Sequence, residues 1–341
     1  MHMEQSDQSI NLIRVEDIRF FVDLLMQLDG DAYQILREAT IPNDIHQSDS
    51  YEFLPESALK NAVEVLGSHH TQADLALIFW EGIRRDYIRR FVSRLSKHDT
   101  LLEACEELSQ LVKLASPSSR IYPKYTAGSW WLTREKAGQH EQWYEHAELF
   151  SVLFMIEFIR SLTHVTWSPE QIALVSSNSD AFSSLPTLNN VSFICERNLA
   201  GIKIPDSLME GEIKNLSKAF ETDRVGIDHI AYSTPSFMDT FKLALSPYLS
   251  MGKLPIKIAA EILRLNVRTL QRRLAKEGLV YQALIEDMTF ELIKDAMRSS
   301  DESITAIANK FGYSDAAHFS RAFKRRYDQT PSAYRKAGIS K

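Results

Sequence analysis

Cysteines, glycine-rich loops and long apolar runs are scarce in this chain, and each shortage closes off a class of function. Only two cysteines occur in 341 residues, Cys105 and Cys195, far apart and without metal-ligand spacing. That fits a reducing cytosol better than a disulfide scaffold. The longest apolar run, Leu149 to Ile159, is interrupted by Ser151 and Glu157 and is too short and too polar to span a bilayer. Met1 to Asp7 is polar and lacks the basic-then-apolar order of a signal peptide. A cytoplasmic protein with no membrane partner is expected. No glycine-rich phosphate loop, nucleophile elbow or distinctive carboxylate pair is present, and neither cysteine has a motif partner nearby. His69, His70, His140, His146 and His164 fall outside any zinc pattern. No catalytic residue, metal or cofactor is expected, and the chain does not read as an enzyme.

Charge is unevenly spread. The whole chain carries −6, yet Lys253 to Lys341 holds 17 Lys and Arg against 10 Asp and Glu, a net of +7. The remainder holds 22 against 35, a net of −13. A basic tail on an acidic body suits binding to backbone phosphates by the tail alone.

That tail contains one pattern written twice. Ala260, Leu263, Leu265 and Asn266 correspond to Ala308, Phe311, Tyr313 and Ser314 at an offset of 48. Leu270 and Leu274 then match Phe319 and Phe323 at 49, so the second copy carries one extra residue. Each copy offers a short helix, a turn, an Asn or Ser cap and a second amphipathic helix. These are two helix-turn-helix units, at about 256–276 and 304–327. With Leu270 and Leu274 facing inward, Val267, Arg268, Gln271 and Arg272 fall on the outer stripe, together with Ala275. Arg can fork onto guanine and Gln onto adenine in the major groove. In the second copy Phe319 and Phe323 face inward, leaving Ala316, Ala317, Ser320, Arg321, Lys324 and Arg325 outward. Double-stranded DNA is the expected partner. Between the copies, Tyr281 to Met297 reads as one helix with Leu284, Met288, Leu292 and Ala296 inward. At about 1.5 Å per residue it is about 25 Å long, a spacer suited to two successive major grooves.

The body, residues 1–208, reads as an α+β domain. Helical spacing covers Val15–Leu28, Ala32–Ala39 and Pro55–Leu66, and Thr100 with Glu103 forms a capping box for a helix to Leu114. Strands are expected at Ser119–Tyr125 and Ser129–Arg134 around Ala127-Gly128. An apolar helix follows at Trp143–Leu162, then short strands at 172–175, 191–194 and 202–204. Tyr122, Tyr125, Trp130, Trp131 and Trp143 are candidates to line a pocket for a small apolar or amphipathic effector, against the plainer reading that they fill the core. The polar stretch 209–235 reads as a linker, and 236–341 as the DNA-binding domain, opened by a helix at Ser236–Leu245.

Several motifs of the tail occur in a familiar order. They are Thr269-Leu270-Gln271-Arg272-Arg273-Leu274, Ile307-Ala308 with Phe311-Gly312-Tyr313-Ser314-Asp315, Phe319-Ser320-Arg321-Ala322-Phe323-Lys324, and Pro331-Ser332-Ala333-Tyr334-Arg335. Together they resemble the AraC/XylS family of bacterial transcription regulators. The resemblance implies two helix-turn-helix subdomains joined by a linker helix, and activation through contact with RNA polymerase. More loosely, Thr100-Leu101-Leu102-Glu103-Ala104, Trp167-Ser168-Pro169 and Gly201 to Pro205 resemble the long N-terminal domain of one branch, which implies effector binding or dimerisation. Three positions depart from the pattern. Arg264 stands at the turn glycine, Thr289 where the linker helix often has Arg, and Asp328 at a glycine before Pro331. The expected fold is therefore mostly α, an α+β sensor domain followed by an all-α domain. The expected function is effector-controlled transcription regulation. A regulator governed by a protein partner or by abundance is the alternative. A DNA-repair enzyme fusion is disfavoured, because it would need clustered cysteine ligands.

Overall fold

The computed structural model describes residues 9–28, 30–46, 51–164, 166–213 and 236–339. Most of the expected linker, 214–235, lies outside the described residues. The described residues form two compact units: those of 1–15, 42–57 and 233–341, and those of 16–41 and 58–232. Both departures from a simple head-and-tail division involve the first sixty residues.

In chain order the body contains β1 (Leu12–Arg14), α1 (Val15–Leu25), α2 (Ala32–Glu38), β2 (Phe53–Pro55), α3 (Glu56–His69) and α4 (Gln72–Gly82). A π-helical turn, Ile83–Tyr87, leads into α5 (Ile88–Val92) and then α6 (Leu101–Ala115), β3 (Ser119–Thr126), β4 (Ser129–Lys136) and α7 (Trp143–Thr163). The body closes with β5 (Gln171–Ala173), α8 (Asp180–Ser183), β6 (Ser192–Ile194), β7 (Ala200–Ile204) and α9 (Asp206–Met209). The expected α+β region is present. Pro55 belongs to a strand, and the helix expected from it starts one residue later.

The larger sheet runs β3-β4-β7-β5-β6, antiparallel except for the parallel β5/β6 pair. Its hairpin is set by Ala127 and Gly128, whose φ of 51° and 72° give the two positive values that a type I′ turn requires. Thr100 Oγ1 accepts from the Glu103 N–H, and the Glu103 carboxylate accepts from the Thr100 N–H, so the capping box fixes the start of α6. The helical core is aromatic: Phe20, Phe21, Phe79, Tyr87, Phe91, Phe150 and Phe154 pair with ring centroids 4.8–6.1 Å apart. Cys105 is buried in α6, and burial pushes its thiol up to about 12, which keeps it protonated and inert. Among the described residues no helix is long and apolar enough to cross a membrane, and no cluster of three His, Cys, Asp or Glu residues is placed to hold a metal.

The remaining helices are α10 (Phe237–Leu249), α11 (Ile256–Ile262), α12 (Val267–Lys276), α13 (Tyr281–Ser299), α14 (Ile304–Lys310), α15 (Ala316–Tyr327) and α16 (Pro331–Ile339). They make the C-terminal region all-α, as expected. The small β1/β2 sheet packs on α10 within the same unit. The Ile10 N–H donates to Thr240 Oγ1 at 3.0 Å, and Ser57 Oγ donates to the carbonyl of Ile262 in α11.

Candidate nucleic-acid interface

Both reading helices are positioned by capped, tightly turned helix pairs. In the first, the chain leaves α11 through Arg264, which adopts φ 48°, and Asn266 Oδ1 accepts from the Thr269 N–H at 2.7 Å to open α12. In the second, Gly312 takes φ 82° at the equivalent place. A Cβ there would lie 2.9 Å from Gly252 Cα, so the close approach of two backbones requires glycine. Arg264 meets no such obstacle and pays only the left-handed strain, of order 1 kcal/mol.

The cap of the second reading helix differs from expectation. Ser314 aligns with Asn266 by spacing, but Asp315 is the cap: its Oδ1 accepts from the Ala317 N–H at 2.8 Å. The extra residue of the second copy therefore falls before the cap, which restores the offset of 49 from there onward. At the far end Asp328 adopts φ 57° and closes α15 in the left-handed conformation, the role a glycine ordinarily fills.

Each helix buries one stripe and exposes the other. Leu270 and Leu274 are buried in α12, as are Phe319, Ala322 and Phe323 in α15. Arg268, Gln271 and Arg272 are exposed, with Val267 half-buried beside them. On α15, Ala317, Arg321, Lys324 and Arg325 are exposed, and Ala316 and Ser320 are half-buried. Neither helix contains an acidic residue, so nothing on either stripe opposes a phosphate.

The cations of the two helices divide into two sets. Arg273 stacks over Phe237 of α10, its guanidinium carbon 5.1 Å from the ring centroid. Arg326 pairs with Asp287 of α13 and lies over Phe290 at 5.2 Å. These two tie each reading helix to its support, and the remaining Arg and Lys stay at the surface. His318 packs its ring against Tyr313, 5.7 Å between centroids.

The connecting helix α13 has 19 residues, about 28 Å at 1.5 Å per residue. Of the expected inward stripe, Leu284, Met288, Leu292 and Ala296, only Leu284 is fully buried. Leu284, Phe290, Ile293 and Met297 are buried, while Met288, Leu292 and Ala296 are half-buried. The helix packs against α10 as well as α14 and α16, so the covered face is wider than a single stripe. Thr289 Oγ1 donates to the Ile285 carbonyl one turn back, at 2.7 Å, and supplies no cation. Tyr281 Oη donates to the Leu254 carbonyl at 2.8 Å, anchoring the start of α13 to the loop before α11.

The five aromatic candidates of the body do not converge. Cross-strand register places Tyr125 beside Trp130, rings 5.2 Å apart, on one face of the hairpin. Tyr122 and Trp131 lie on the opposite face, because side chains alternate along a strand. Trp143 is buried at the start of α7, where Lys60 and Lys136 lie over its ring.

Comparison with known proteins agrees with this geometry. A helix-turn-helix domain family of AraC/XylS type matches residues 259–337. The chain is 36% identical over 76 residues to an HTH-type transcriptional regulator of Mycobacterium tuberculosis, covering 22% of each chain. It is 37% identical over 73 residues to the HTH-type transcriptional activator RhaS of Citrobacter koseri, 21% of this chain and 26% of that one. With the HTH-type transcriptional regulator VqsM of Pseudomonas aeruginosa it shares 28% over 152 residues, 45% of this chain and 40% of that one. The matches thus span only 22–40% of these relatives' length. The transcriptional regulator CdpR of P. aeruginosa aligns over 94% of this chain and 97% of its own, at 16% identity and a TM-score of 0.35, too low to bear on the fold. Two capped helix pairs, each with an acid-free cationic stripe, lie in this part of the chain, and the matched segment, residues 259–337, is similar to the helix-turn-helix domain of these transcription regulators.

Proposed function

We propose that the chain seats α12 and α15 in successive major grooves on one side of a duplex, joined by α13 as a rigid spacer. Val267, Arg268, Gln271 and Arg272 meet the first groove. Ala316, Ala317, Ser320, Arg321, Lys324 and Arg325 meet the second. The observation that carries this reading is the division of cations: Arg273 and Arg326 are committed to Phe237 and Asp287, whereas Arg268, Arg272, Arg321, Lys324 and Arg325 stay exposed. Small Ala316 and Ala317 allow close approach, and either methyl suits a thymine methyl.

The sign proposed is activation through RNA polymerase, in keeping with a relative named as an activator. Control is assigned to a small molecule held by residues 1–208, which also pair protomers, with 209–235 as linker and 236–341 as the DNA-binding domain. An effector acts only if it binds one arrangement of the chain better than another.

Footprinting on DNA flanking the chain's own gene, repeated across salt concentrations, tests the reading. Protection of two groove segments on one face is expected, with affinity falling steeply as salt rises. Arg268→Ala and Arg321→Ala should each weaken the specific site by about 1–3 kcal/mol and relax choice at one base pair. An equal loss on every sequence reassigns that residue to phosphate contact. Mass spectrometry of natively purified protein tests the effector. If no small molecule is retained and DNA binding ignores every metabolite added, control passes to a protein partner or to abundance.

A further inference from the structure

One side chain of the body is placed against every ordinary preference. Arg134 is 1% exposed, and its Nε, Nη1 and Nη2 complete no hydrogen bond within the protein. A guanidinium carries five N–H donors and does not shed its proton, so a buried one is normally forked onto a carboxylate or phosphate. Its neighbours fall short of that. Its guanidinium carbon lies 5.1 Å from the centroid of the Tyr144 ring. Burial lowers its proton affinity, and Tyr144, whose hydroxyl lies close enough to interact with the guanidinium without completing a well-aligned hydrogen bond, and Glu148 offset this only in part. Glu148 is spent elsewhere: its Oε1 accepts from the Val175 N–H at 2.8 Å and its Oε2 from the Ser176 N–H at 3.1 Å.

The surroundings add positive charge. Lys136, two residues along β4 and so on the same face, is buried, with Nζ 2.9 and 2.7 Å from the hydroxyls of Ser116 and Ser119. The ammonium groups of Lys136 and Lys60 lie 5.5 and 4.8 Å from the centroid of Trp143. Trp143 and Tyr144 are the first two residues of α7, a 21-residue helix whose N-cap, Gln142, makes no side-chain capping bond. Of the nearby acids, Glu141 accepts from Trp143 Nε1 at 2.8 Å, Glu148 holds the two backbone donors, and Glu145 in the first turn of α7 and Glu64 act on His146.

We propose that the junction of β4 and the start of α7 opens into an anion site, in which Arg134 forks onto the carboxylate of a small organic acid whose apolar body rests on Tyr144 and Trp143. The guanidinium is closed from solvent, so occupation requires its surroundings to open, which couples binding to the shape of the domain. The consequence for DNA rests on the effector control proposed above; the site itself does not.

The full chain is titrated with acetate, benzoate and inorganic phosphate, with benzamide as the uncharged control, and the thermal midpoint is followed. Benzoate should raise the midpoint in a concentration-dependent way and benzamide should not. In Arg134→Met the benzoate response should weaken at least tenfold. That variant, checked for native secondary structure by circular dichroism, should also unfold at a higher temperature than wild type without acid, because an unpaired buried charge is gone. Arg134→Lys should keep a partial response. The proposal is overturned if wild type responds to no carboxylate, if only phosphate acts, or if Arg134→Met responds as wild type does. Operator affinity with and without benzoate separates the two readings. A midpoint shift without any change on DNA keeps the site and ends effector control by this acid. A change on DNA that survives Arg134→Met keeps effector control and ends this site.

Discussion

The two helix-turn-helix units carry the same motif on different supports. The second has an aromatic core of its own, in which Phe290, Phe319, Phe323, Tyr327 and Tyr334 pair at 4.8–6.3 Å around Ile293, Met297 and Ile307. The first is aliphatic at its centre, with Ala259, Ala260, Ile262, Leu270 and Leu274 buried, and leans on α10 and on residues from the beginning of the chain. A motif that occurs twice in the sequence is thus completed in two ways. One unit is closed by residues local to it, and the other borrows Ile10 and Ser57 across more than 200 positions.

The contrast can be broken by substitution, beginning with the heaviest. Phe323→Ala should cost about 3–5 kcal/mol, because a fully buried ring at the centre of the second unit is lost. Urea unfolding measures it, and a cost below 1 kcal/mol would mean that the aromatic core is not what holds this unit. Gly312→Ala should cost about 2 kcal/mol, combining left-handed strain with a clash against Gly252, and should reduce operator binding. Ser57→Ala removes the hydroxyl that satisfies the Ile262 carbonyl and should destabilise the chain by about 1 kcal/mol. Hydrogen exchange should report the loss in α11 and α12 and leave α14 and α15 unchanged. Equal loosening of both units would end the idea that only the first borrows support. Smallest, the caps Asn266→Ala and Asp315→Ala should each cost about 1 kcal/mol, whereas Ser314→Ala should cost less than either, which distinguishes the observed cap from the one spacing suggests.

Elements whose signal is local were legible. Thr100 and Glu103, Ala127-Gly128, the Leu270/Leu274 and Phe319/Phe323 pairs and the exposed stripes opposite them all follow from neighbours three or four residues away. Strands β1 and β2 were not, because three residues are too few to show a period and their partners lie about 40 and 185 residues away. The stripe of α13 was misplaced by the same cause: a helix packed on several sides has no single apolar line to find. Arg134 gave no sign at all, since Thr133-Arg134-Glu135-Lys136 looks like any charged strand end until α7 covers one face of it.

From its residues alone this chain was bound to carry two short, capped, cationic helices on an acidic body. Capping, amphipathic period and net charge are properties of neighbours in sequence, and no partner elsewhere is needed to express them. Which cations stay at the surface, which end of the chain props up the first unit and which guanidinium is sealed from solvent were decided only in the folded state. Each of those depends on which distant group covers a side chain, and burial is a relation between segments that linear order does not contain.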